Sequence, residues 1–269
     1  EFDLEYAGVG AALAVLGVGY IAGSLVGGSV VGRVGARLSI ITGVVVAALG
    51  MTLAGASPTL TAFLGGLVLA SVGWGVGEVA IATIIAGSGG RTAVRDLNLA
   101  QIGFAVGAIV APIIVGGSFL CGWGWRPPVL LGGALASTVA VIAYPLALET
   151  HPYGRGPIQV LAKGTLTPIF VLIGVAAALS VAHEVGFSGF FAPYLEHQFD
   201  LDRALAAGFV TVFWAGSCAG RCVGAWLSGR LDLPALLVGS AIGSVGASLL
   251  VALASPLWMS LFGLALVGV

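Results

Sequence analysis

Gly23-Ser-Leu-Val-Gly27-Gly-Ser-Val-Val-Gly32-Arg33 has a counterpart 197 residues further on, in Gly220-Arg-Cys-Val-Gly224-Ala-Trp-Leu-Ser-Gly229-Arg230. Gly23, Gly27, Gly32 and Arg33 all keep their place in the second copy. Phe2-Asp3-Leu4 recurs as Phe199-Asp200-Leu201 at the same shift. Ala54-Gly55-Ala56-Ser57-Pro58 returns as Ala252-Leu253-Ala254-Ser255-Pro256, one residue out of phase. A constant shift over separate patches marks two related halves. An apolar span, Thr165 to Leu195, precedes the second copy, whereas the first follows directly on Glu1. The expectation is that an opening helix is missing from this sequence.

Composition names the solvent. The chain is 59% hydrophobic and 8% charged, against about 25% charged residues in an ordinary soluble domain. Such a chain suits lipid. The net charge is −1 and no basic patch is present, so no nucleic-acid partner is expected. Cys121, Cys218 and Cys222 are odd in number and lack metal-ligand spacing, so neither a disulfide framework nor a metal centre is expected.

Apolar stretches follow one another with short breaks: Ala7–Val31, Leu38–Ala56, Leu60–Gly87, Leu97–Leu120, Pro128–Leu148, Thr165–Leu195, Ala204–Ser228 and Pro234–Ala254. Each is long enough to cross about 30 Å of hydrocarbon as a helix. A ninth begins at Leu257 and reaches Val269, too short to cross, so the chain is expected to end inside a span. The fold class is therefore all-α: a membrane bundle of eight spans and a partial ninth, in two halves. The first half is 1–148, the second 165–269, and the polar stretch 149–164 links them. The 44 glycines suit close helix packing in lipid, with Gly23/Gly27 and Gly103/Gly107 as small-residue pairs. Alternate loops differ in charge. One set holds Arg33, Arg37, Arg91, Arg95, Arg155, Lys163 and Arg230; the other holds Arg126 and Arg203 with Glu196, Asp200 and Asp202. The first set is assigned to the cytoplasm. Six spans then separate the two Phe-Asp-Leu copies, so the halves run parallel, related by an axis along the membrane normal.

The loop Gly28-Ser-Val-Val-Gly-Arg33-Val-Gly35-Ala-Arg37 resembles the cytoplasmic signature between the second and third helices of the major facilitator superfamily. Gly28, Arg33, Gly35 and Arg37 match. Gly32 stands where the family has an aspartate, so the charge-and-dipole latch implied by the resemblance lacks its carboxylate in this half. Gly73-Trp-Gly75-Val-Gly77-Glu78, then Arg95-Asp-Leu97-Asn98-Leu99-Ala100-Gln101 and Gly107-Ala-Ile, is similar to the fourth and fifth helices of the fucose:proton symporter group. Ala182-His183-Glu184-Val185-Gly186, Pro193-Tyr194-Leu195, Phe213-Trp214-Ala-Gly216 and Gly220-Arg221 resemble the seventh and eighth helices of related sugar-transporter-like members. Ala82, Thr83 and Phe104 replace an asparagine, a proline and a second asparagine of the sugar carriers. Two lost amides point to a less polar substrate or to a different binding mode.

Glu78, Glu184 and Arg221 are ionisable side chains inside spans, and His183 stands beside Glu184. An unpaired charge in hydrocarbon costs several kcal/mol, so each should face the bundle interior and hold a partner. Two readings stand side by side. Either Glu78, Glu184 and Arg221 form a substrate- or proton-coupling site, or Glu184 and Arg221 are an ion pair that orders the bundle. Gln101 can hydrogen-bond a solute, and Trp214 can line an apolar or sugar-stacking cavity. Gly73, Gly75 and Gly77 leave room for a solute beside Glu78. No phosphate loop, catalytic constellation or cofactor motif is visible. The expected protein is a multi-pass transporter in the inner or plasma membrane, not an enzyme. It moves a small organic solute by alternating access, coupled to a proton or other cation. The alternative is a membrane sensor or scaffold of the same fold that does not transport.

Overall fold

The computed structural model describes residues 6–87, 90–145, 168–227 and 233–268. Phe2-Asp3-Leu4, Gly229-Arg230 and the link 149–164 lie outside them, as do the side chains of Arg91 and Arg95. The helices are α1 (Tyr6–Val34), α2 (Ala36–Ala56), α3 (Leu60–Gly87), α4 (Gly90–Leu120), α5 (Arg126–Ala143), α6 (Pro168–Phe199), α7 (Arg203–Leu227), α8 (Leu233–Leu253) and α9 (Leu257–Gly268). An apolar chain in lipid must satisfy every backbone N–H internally, and helices do so residue by residue. Among the described residues, Gly8–Val34, Ala36–Ala56, Leu60–Gly87, Ala100–Leu120 and Arg203–Gly224 are long and apolar enough to cross a membrane. Shorter apolar stretches are Arg126–Ile142, Val238–Leu253 and Leu257–Gly268.

Most helices outrun their expected spans. Hydropathy marks the part that suits lipid, whereas backbone hydrogen bonds continue until something breaks them. Thus α4 begins at Gly90, ahead of the polar Arg95-Asp-Leu-Asn98 turn. Gly35 ends α1 with φ 83°, a left-handed conformation open to glycine. Gly35→Ala is expected to cost about 1–2 kcal/mol and to lower the thermal midpoint in detergent. An unchanged midpoint would show that the break tolerates a side chain. At the α6–α7 break Asp200 takes φ 52°. Asp202 Oδ1 then accepts the Ala204 N–H at 2.8 Å and caps α7.

The contacts divide into two compact units, Glu1–Ala93 with Trp125–Val175, and Val94–Gly124 with Ala176–Val269. By chain order α4 belongs to the first half; by packing it joins α6 to α9.

In the first unit α3 packs against α1 and α2, and α2 against α5. Glycines set the spacing. A Cβ on Gly23 would strike the Val72 backbone, and one on Gly73 would strike Ala47 N and Gly43 O. The helices α2 and α5 are also clamped at both ends by arginines. Arg37, at the start of α2, donates to Tyr144 O at the end of α5 and lies 5.8 Å from the Tyr144 ring centroid. Arg126, at the start of α5, donates to Ser57 O at 2.8 Å and Gly55 O at 3.4 Å, at the C-terminal end of α2. Each guanidinium meets the orphan carbonyls and negative dipole end of the other helix.

The second unit repeats this glycine geometry at the shift read from the sequence. A Cβ on Gly66 would meet Ala54 N at 2.5 Å and Gly50 O at 2.8 Å; one on Gly263 would meet Val251 N at 3.1 Å and Ala247 O at 3.4 Å. Likewise Gly19 faces Val68 O, and Gly216 faces Ala265 O. Every partner in these pairs lies 197 residues from its counterpart. The repeat is therefore one of backbone contact, which identity at only a few side chains understates. Phe191, Leu195, Ala206, Phe213, Val251 and Leu264 fill the core of this unit.

Candidate functional site

The helices α4 and α7 run antiparallel along one seam. Gly116 approaches Ala204 O, Thr211 Oγ1 donates to Ile109 O at 3.1 Å, Phe104 meets Trp214, and Gln101 meets Arg221. Positions fall along α4 as they rise along α7. Trp214 and Arg221 are seven residues apart, so they share one stripe of α7 within about 20°.

At the end of this seam Arg221 gathers three partners. Its Nη1 donates to Gln101 Oε1, its Nε donates to Ser217 Oγ at 3.3 Å, and its Nη2 lies 3.8 Å from Glu184 Oε1 on α6. The side chains of Arg221 and Glu184 keep 29% and 30% exposure. This pair is partly open, unlike a sealed structural ion pair. Charge +1 and charge −1 cancel, so the cluster is neutral with one amide and one hydroxyl completing it. Three of the expected site residues, Gln101, Glu184 and Arg221, thus come together, and Trp214 sits further along the same seam. Phe104 against Trp214 has ring centroids 5.5 Å apart at 78°; Phe213 against Trp214, 5.1 Å at 80°. Phe213 is buried.

His183 turns elsewhere. Its Nε2 lies 3.2 Å from Ser248 Oγ and 3.3 Å from Ser244 Oγ on α8, and its ring contacts Phe187. One step along a helix is about 100°, so His183 cannot share the face of Glu184. It joins α6 to α8.

Glu78 lies in the first unit. Its Oε2 accepts Tyr20 OH from α1 at 2.7 Å and Trp74 Nε1 at 3.2 Å. Both donors are neutral, and the residue is exposed. The space expected around it is filled on two sides. Gly73 is pressed against α2, and a Cβ on Gly75 would meet Tyr20 O at 2.5 Å on α1. Only Gly77 of the three has open space. Conversely Gly103 and Gly107, expected as a close-packing pair, have nothing within 4 Å, and Gly116 makes the close approach of α4. Small residues permit contact on either of two faces, and sequence does not say which face is used.

Around the break between α1 and α2, Gly28 is buried, Arg33 is exposed, and Gly35 forms the break itself. Arg37 is engaged by Tyr144 within its own unit. Sequence reasoning did not anticipate Tyr20 as a partner of Glu78, or Arg37 as a helix cap. These pairings span 58 and 107 residues, and no local pattern announces them.

Comparison with known proteins agrees with this architecture. The family profile described as Major Facilitator Superfamily matches residues 1–269. Human monocarboxylate transporter 11 is 31% identical over 231 residues, which cover 80% of this chain and 47% of that protein. The chain thus spans about half the length of the curated relative it matches. A crystal structure of the Escherichia coli fucose:proton symporter FucP aligns with a TM-score of 0.68 at 18% identity, over 97% of this chain and 73% of that one. A structure of FucP in the outward conformation gives 0.70 at 20% identity, over 99% and 73%.

Proposed function

Because this chain belongs to the Major Facilitator Superfamily, a family of multi-pass membrane transporters and not of enzymes, we propose that it moves a small organic anion, a monocarboxylate, together with a proton. The observation that carries this reading is the partly open Arg221–Glu184 pair with Gln101 on the same guanidinium. A guanidinium matches a carboxylate in planar, two-point fashion. The name of the human relative points to the same class. The resemblance to the fucose carriers favours a sugar, but Phe104 stands where they use an amide.

Charge balance supplies the coupling. A solute carboxylate arriving at Arg221 would leave two anions on one cation. Two like charges about 4 Å apart repel by about 4 kcal/mol at the effective dielectric of a protein. A proton on Glu184 removes that repulsion and frees the guanidinium for the solute. Loaded and empty clusters are then both neutral, and neutrality eases exposure to either side of the membrane in turn. Glu78, held by Tyr20 and Trp74, is a second carboxylate able to carry a proton. Replacing Glu78 with Gln keeps the shape and removes the charge. Proton-driven accumulation is then expected to fall at least tenfold, while solute exchange persists. Accumulation at the wild-type level would leave Glu78 a purely structural acceptor.

Counterflow in protein-loaded vesicles tests the class directly. Labelled lactate should enter against its gradient when unlabelled lactate is inside, and labelled fucose should not. Fucose counterflow alone would restore the sugar reading. Counterflow of neither would favour the sensor or scaffold, for which Gly32 in place of the gate carboxylate already speaks.

A further inference from the structure

We infer that Ser217 is a positioning residue for the solute carboxylate: its hydroxyl holds the Nε edge of the Arg221 guanidinium, so the carboxylate docks on the Nη1–Nη2 edge. The inference rests on the assignment of Arg221 as the carboxylate site. A guanidinium presents two planar forks, Nε with Nη2 and Nη1 with Nη2, and either can grip both oxygens of a carboxylate. Ser217 stands one helical turn before Arg221, on the same face of α7. Its Oγ accepts from Nε at 3.3 Å. The first fork is therefore already committed. Each Nη carries a second N–H besides the one that meets Gln101 or Glu184, so the other fork can still take a carboxylate.

Burial orders the two edges. Ser217 is 6% exposed, whereas the Arg221 side chain is 29% exposed. The buried hydroxyl draws the Nε edge inward, and the Nη edge becomes the open one. The anchor is itself fixed. Around Ser217, α7 meets α9 backbone to backbone: a Cβ on Gly268 would meet Ser217 N at 2.7 Å, and one on Gly216 would strike Ala265 O. Backbone packed this closely holds the Ser217 hydroxyl at one level. The repeat carries a hydroxyl at the same point of the first unit. Tyr20 stands 197 residues before Ser217, and its OH donates to Glu78 Oε2 at 2.7 Å. In each unit this turn supplies the hydroxyl that orients a charged side chain.

Uptake of labelled L-lactate into vesicles containing the protein separates orientation from packing. Ser217→Ala removes the acceptor and almost no volume. The lactate KM is expected to rise about fivefold and the maximal rate to stay within about twofold, because one hydrogen bond to a charged group is lost while the ion pair remains. In an Arg221→Lys background the same substitution should move the KM by less than about twofold, since an ammonium has no plane to orient. Ser217→Cys keeps the shape with a weaker acceptor. Its KM should fall between those of serine and alanine, and it carries the test where the alanine variant does not assemble. An unchanged KM in either variant, a fall in maximal rate in place of the rise in KM, or an equal rise in the lysine background would overturn the inference and leave the carboxylate site standing. No lactate transport by the unmodified protein would overturn both.

Discussion

Replacing Arg221 with Gln is expected to lower carboxylate uptake about 10- to 100-fold. Removing one partner of a buried pair costs 3–5 kcal/mol, but this pair keeps about 30% exposure. Solvent screening reduces the expected cost to about 1–3 kcal/mol. Lysine at the same position keeps the charge but loses the fork that holds Gln101 and Glu184 together, so it should recover only part of the uptake. A second substitution separates transport from folding. Arg221→Gln leaves Glu184 without its counter-ion, and adding Glu184→Gln removes that orphan charge. The double variant should regain thermal stability in detergent and should not regain uptake. Recovery of both would make the pair a device of folding alone.

The other large effect concerns stability. Gly23→Leu and Gly66→Leu are each expected to prevent recovery of a monodisperse protein. The first atom of the new side chain would already overlap the backbone of Val72, or of Ala54 and Gly50. Backbone cannot yield as a flexible side chain does, and overpacking of this kind costs about 3 kcal/mol or more. That is a large share of the about 5–15 kcal/mol that holds a protein folded. Gly77→Ala is the control. Nothing lies within 4 Å of its new methyl group, and alanine is the better helix former by about 1 kcal/mol. Size-exclusion profiles and thermal midpoints report both outcomes. A normal profile for Gly23→Leu would mean that α1 and α3 do not touch as described.

The helices were legible because lipid imposes one rule on every span, and that rule leaves long apolar runs between breaks such as Gly35 and Ser57-Pro58. The repeat was legible at Gly23 and Arg33. Its deeper form, Gly66 on Ala54 answered by Gly263 on Val251, needed coordinates, because Val251 shares no identity with Ala54. Ion pairing of Glu184 with Arg221 followed from the cost of isolated charge. Gln101 as the third member did not, since nothing in sequence sets the register of α4 against α7. The roles of the glycines were read least well. Gly73 and Gly75 close the space that they were expected to open, and Gly103 and Gly107 lie open where contact was expected. Sequence shows that a small residue is present; only packing shows what uses the gap.

Proton movement measured together with solute movement tests the central claim most directly. Vesicles containing the protein and a trapped pH-sensitive dye are given an inward lactate gradient with no imposed pH difference. The interior should acidify in step with uptake, about one proton per lactate, and a membrane potential of either sign should leave the rate unchanged. Glu184→Gln should abolish the acidification while lactate exchange continues. Lactate uptake with no acidification, or with a rate that follows the membrane potential, would contradict proton coupling at the Arg221–Glu184 pair.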